Sequence, residues 1–97
     1  MEVNLVVINV GNSRLAVGAF VAGELGEVSR VPVDASPEFW AEQIGEAWLN
    51  VQGRENAAVV AASVNPDVNE QLERAVDEVA GRRVVWIGKD IELPMPC

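Results

Sequence analysis

The chain begins as apolar runs broken by short turns and then changes to helical spacing. Val3 to Val10 is nearly continuous apolar, the pattern of a strand buried on both faces. Gly11-Asn12-Ser13 interrupts it, and Arg14 to Val21 predicts a second strand. Ala22-Gly23 and Gly26 predict another turn, leading into a third strand over Glu27 to Val33. Polar and apolar positions alternate there, and Pro32 suits a sheet edge or a strand end.

Ser36-Pro37-Glu38 reads as a helix start, with a Ser cap, Pro at the first helical position and a carboxylate in the first turn. Trp40, Ile44, Ala47, Trp48 and Val51 recur at helical spacing, predicting a helix over 37–52 with Gly53 as its stop. The two tryptophans at this spacing read as core rather than as a stacking platform. Ala57 to Val64 is a short apolar run of mostly small residues, the signature of a buried parallel strand. Asn65-Pro66 opens a second helix over 66–80, with Leu72, Ala75, Val76 and Val79 inward and Gly81 as its stop. Arg83 to Ile87 predicts the fifth strand, and Gly88-Lys89-Asp90 turns into a Pro-rich tail.

The turn at Gly11-Asn12-Ser13 carries the most distinctive chemistry. Gly and Asn tolerate φ > 0, so a tight hairpin is expected. Its backbone N–H groups, amide and hydroxyl make a cradle for phosphate oxygens, or else an ordinary hairpin with no ligand.

Composition narrows the function. The 97 residues fit one domain with a modest core, and 49% hydrophobic content argues against disorder. Seven Lys+Arg against fifteen Asp+Glu give a net charge of −8, which disfavours nucleic acid and anionic membranes as partners. The absence of histidine removes His-dependent nucleophilic catalysis and most zinc sites. The single cysteine, Cys97, makes no internal disulfide, and a reducing cytoplasm is expected. No apolar segment reaches the roughly 18 residues of a membrane span. Glu2 and the lack of a basic start argue against a signal peptide.

The stretch INVGNS followed by LAVGAF resembles the phosphate-binding opening of the actin/hexokinase-like ATPases, and most nearly that of type III pantothenate kinases. That family opens with Asp-x-Gly-Asn-[Thr/Ser] and follows with a strand bearing a Gly and a late aromatic. Gly11, Asn12, Ser13, Gly18 and Phe20 fit the pattern, whereas Asn9 stands where the family has aspartate. VAASVNP (Val60 to Pro66) resembles the family's Ser-x-Val-x-Pro strand end, and VVWIGKDIELPMP its next strand and Leu-Pro segment. The resemblance covers the whole chain.

The β-β-β-α-β-α-β order is the layout of the ribonuclease H-like α/β fold, from which each half of an actin-like ATPase is built. It predicts a mixed sheet in the order 3-2-1-4-5, with right-handed crossovers to strands 4 and 5. Ligands of such sheets lie beyond the carboxyl ends of the parallel strands. The turns at 10–13, 63–65 and 88–90 should meet there.

The resemblance implies ATP with Mg²⁺, a monovalent cation such as K⁺, and pantothenate as the acceptor in coenzyme A synthesis. It places the phosphates at Asn9, Gly11, Asn12, Ser13 and Arg14, and the second substrate at Ser63 and Asn65. Asn9 would stand at the metal position without a negative charge, or else caps a neighbouring strand end. Asn65 is also read as the cap of the second helix, Arg14 as a solvated side chain, and Lys89-Asp90 as a solvated turn. The family's catalytic base lies in a Gly-Ala-Asp-Arg segment with no counterpart in this chain. The expectation is therefore one N-terminal half-domain, residues 1–97, inactive alone and part of a homo-oligomer. A non-catalytic pseudokinase or regulatory binding module is the alternative, and Asn9 favours it. A ribonuclease H-like nuclease does not fit, because such enzymes need an acidic residue on strand 1.

Overall fold

The computed structural model describes residues 3–54 and 56–87. Its elements follow the expected order: β1 (Leu5–Val10), β2 (Arg14–Val21), β3 (Glu24–Pro32), α1 (Pro37–Val51), β4 (Ala58–Ser63), a 3₁₀ turn (Pro66–Val68), α2 (Asn69–Ala80) and β5 (Val84–Trp86). The five strands form one sheet in the order β3-β2-β1-β4-β5. β1 pairs antiparallel with β2 and parallel with β4, so it is the central strand. β5 joins parallel to β4.

The two faces of the sheet differ. Val6, Ile8 and Val10 of β1, Leu15 and Val17 of β2, and Val59 and Ala61 of β4 share the main core with both helices. α1 contributes Trp40, Ile44, Trp48 and Val51 to it, and α2 contributes Leu72, Ala75 and Val76. Each such side chain, fully buried, is worth about 1.5–3 kcal/mol of transfer free energy. Trp40 and Trp48 are thus core residues, and the Trp40 indole N–H donates to the Pro32 carbonyl at 3.2 Å. The opposite face carries a smaller cluster, Val7 and Ala16 with Leu5, Phe20, Val28 and Val60 packed around them.

Helix boundaries follow their caps. Ser36 Oγ accepts from the Phe39 N–H at 3.2 Å, and α1 ends ahead of Gly53 at φ 79°. α2 ends at Gly81 in the left-handed region, φ 63°.

Three sequence expectations need correction. β3 begins at Glu24, because the turn is the two-residue Ala22-Gly23 pair, with φ 52° and 82°. Gly26 lies inside the strand, next to a register irregularity opposite Gly18 to Phe20. The second helix starts later than expected, since Pro66–Val68 is a 3₁₀ turn and α2 proper begins at Asn69. Gly11 and Asn12 are not among the residues with positive φ. A longer connection closed by the Gly11 N–H on the Arg14 carbonyl, at 2.9 Å, reverses the chain without left-handed backbone. The expectations for Gly88, Lys89, Asp90 and the tail lie outside the described residues.

Candidate functional site

The site begins with the register of two parallel strands. Val10 of β1 lies beside Ser63 of β4, and the Val64 N–H donates to the Val10 carbonyl at 3.0 Å. The ladder therefore runs to the carboxyl ends of both strands, where an α/β sheet takes its ligands. Beyond it the Ser63 hydroxyl accepts from the Asn65 N–H at 3.1 Å, and the Asn65 amide donates to the Gly11 carbonyl at 3.5 Å. Two of the three expected turns thus meet at one edge.

The β1–β2 turn is held from the other side as well, by the Val33 N–H on the Ser13 carbonyl at 3.0 Å. The Gly11 N–H is directed at Arg14, so Gly11 shapes the turn. Asn12, Ser13 and Arg14 are exposed. Asn65 makes no side-chain cap to the following 3₁₀ turn, and its amide is turned back towards Gly11. Sequence rules for caps do not foresee that contact, because it spans 54 positions.

Strand alternation separates the other candidates. Asn9, 6% exposed, pairs with Ala16 on β2 and Ala62 on β4. It shares the face of Val7, opposite to the helices. Ser63 is in the row of Val10, on the helix-bearing face. Asn9 and Ser63 therefore reach the same edge from opposite faces.

Arg14 shares the face of Ala16 and Asn9, since positions two apart on β2 point the same way. The same face carries Arg30, which pairs with Ala16, so Ala62, Asn9, Ala16 and Arg30 form one row across four strands. Arg30 was not foreseen as a site residue. Its face depends on the β3 register, and the irregularity near Gly26 hides that register from the alternation pattern.

A divalent ion fits these residues poorly. Asn9 offers a neutral amide, and among the described residues no group of three or more His, Cys, Asp or Glu side chains is arranged to hold a metal ion. Mg²⁺ is normally held through one or two carboxylates plus substrate phosphates. No helix among the described residues is long and apolar enough to cross a membrane.

Comparison with known proteins bears on the fold and the family. The structure is similar to the ROK hexokinase from Thermus thermophilus, with TM-score 0.57 and 23% identity, over 88% of this chain and 33% of that one. It also matches the PPX-GPPA enzyme of Aquifex aeolicus, with TM-score 0.48 and 17% identity, over 90% of this chain and 36% of that one. The chain thus spans about a third of the length of these structures. No curated protein matches it. The fold is that of the actin/hexokinase-like ATPases. The family model for type III pantothenate kinase matches residues 5–97, nearly the whole chain, and this chain therefore belongs to the type III pantothenate kinases.

Proposed function

We propose that this chain is the phosphate-binding lobe of an ATP-dependent kinase that phosphorylates pantothenate, the first step of coenzyme A synthesis. The observation that supports this most is the tethered edge, where the turn after β1 is fixed by Asn65 on one side and Val33 on the other. That fixing holds Asn12, Ser13 and Arg14 outward beyond the ends of two parallel strands. Phosphoryl transfer depends on positioning and electrostatics, so a pre-set turn with a cation is the part such a lobe must supply.

In this reading Asn12 and Ser13 hold phosphate oxygens, Arg14 and Arg30 offset their charge, and Asn9 donates its amide to the same group. Ser63 and Asn65, reaching the edge beside the helices, hold polar groups of pantothenate. Residues 1–97 act as one half-domain, and the base and the adenine contacts come from a second. A homo-oligomer in the cytoplasm completes the picture.

The test is calorimetric titration of Mg-ATP against the protein and its Arg14→Glu variant. Reversing the charge at the turn should weaken binding by about tenfold or more. Equal affinity would remove the turn from the nucleotide site. Residues 1–97 alone should show only background ADP release with pantothenate.

A second reading rests on Asn9, which stands where the family carries aspartate. It makes the chain a nucleotide-binding module without turnover. Binding without pantothenate-dependent ADP release from the whole protein would support it.

A further inference from the structure

The molecule has a second concavity away from the phosphate edge. A cleft of about 470 Å³ opens between the β2–β3 hairpin and α1, floored by Val17, Ala19 and Val21. Its rim carries Glu24 and Glu27 from β3 and Glu46 from α1, and among the described residues no lysine or arginine lines it. The arrangement depends on the irregularity in β3. Glu24 pairs with Val21 and Ser29 with Val17, both on the helix-bearing face. Alternation from Ser29 brings Glu27 to that face, and the register shift lets Glu24 share it three positions away.

Among the described residues β3 is also an edge of the sheet and pairs only with β2. Its first part, Glu24 to Glu27, is exposed, and Pro32 blocks the ladder only at the far end. An edge with unpaired backbone groups is a template for an added strand. A second copy of the chain is a poor occupant, because each molecule has a net charge of −8 and three carboxylates on this rim.

We propose that this face binds an extended, basic segment of another protein, which adds as a strand to β3. Its backbone pairs with the free edge over 24–30. An apolar side chain rests on Val17 and Ala19, and a lysine or arginine two positions to each side meets Glu24, Glu27 and Glu46. Same-face side chains of a strand recur roughly every 6.6–6.8 Å, which suits an apolar residue between two cations.

The experiment uses a fluorescent peptide, Thr-Lys-Thr-Leu-Thr-Lys-Thr, and a control of the same sequence with every backbone nitrogen after the first residue methylated, which leaves no amide donor on either side of the strand. Anisotropy should show binding of the first peptide and loss of the control, which cannot pair along the edge. The double variant Glu24→Gln/Glu27→Gln should bind about tenfold more weakly. Amide exchange at 26–30 should slow when the peptide is bound. Equal binding of both peptides would reduce the effect to charge attraction and overturn the proposal, as would no binding at all. Sedimentation of a dimer that the peptide dissolves would assign the face to a second copy and overturn it too.

Discussion

The side-chain amide of Asn65 donates to the carbonyl of Gly11 at 3.5 Å, joining the turn after β4 to the turn after β1. Neither turn is a strand or a helix, so this contact and the Val64-to-Val10 backbone bond fix their relative positions. Asn65→Ala should lower stability by about 0.5–1.5 kcal/mol, the net value of one hydrogen bond. Asn65→Asp should cost more, because a carboxylate, an acceptor only, would face the Gly11 carbonyl in place of the amide donor. Urea denaturation can rank the three proteins. Equal midpoints for Asp and wild type would exclude the contact.

Ala22 is held at φ 52° ahead of Gly23 at φ 82° in the β2–β3 turn. A left-handed alanine costs about 1–2 kcal/mol, and Asn-Gly is the preferred pair for a two-residue hairpin with both φ angles positive. Ala22→Asn should therefore stabilise the protein by about 0.5–1 kcal/mol. The Ala22 N–H, which donates to Asn4 Oδ1 at 3.1 Å, is retained in the variant. A rise in the thermal midpoint checks the expectation, and a fall would place the strain elsewhere.

Trp40 is fully buried and its indole N–H is directed to the Pro32 carbonyl. Trp40→Phe keeps an aromatic ring but leaves a smaller side chain and removes one of two donors to the Pro32 carbonyl, which keeps the Ala35 N–H at 3.1 Å, for a loss of about 1–3 kcal/mol. Chemical denaturation gives the magnitude. A loss below about 1 kcal/mol would mean that water replaces the indole at Pro32.

Asn9→Asp places a carboxyl where the side chain is 6% exposed. Burial opposes ionisation, and the arginines of that face, Arg14 and Arg30, are exposed, so the variant should be less stable at neutral pH and recover as pH falls and the group protonates. Under the kinase reading Mg-nucleotide should reverse that loss and bind more tightly than to wild type. Thermal melts with and without Mg-ATP separate the cases. A destabilised variant that Mg-ATP does not rescue would separate β1 from the nucleotide.

Much of this architecture was readable from residue patterns. The apolar runs at 5–10 and 58–63 announced the central parallel pair, and Ser36, Gly53 and Gly81 marked helix ends where local capping chemistry acts. β3 was read too short because Gly26 is usually a turn signal, whereas here it sits at a register shift that only pairing with β2 reveals. Two of the turns expected on one edge, 10–13 and 63–65, meet there, and the third lies outside the described residues. The direction of the Asn65 amide and the place of Arg30 in the row of Asn9, with Ala16 between them, depend on neighbours distant in sequence, which no local rule encodes.

The central position of β1 also bears on how the molecule comes into being. Its pairing with β2 closes a loop of a few residues, but its pairing with β4 joins positions such as Val10 and Ser63 across much of the chain. Contacts of such long separation form late, because the closure entropy must be met first. On a ribosome the three-strand meander can therefore emerge with the turn at 11–13 already made but held only by Val33. The carboxyl edge of the parallel pair is completed when β4 docks, which makes the Asn65-to-Gly11 contact a report on that late step of folding.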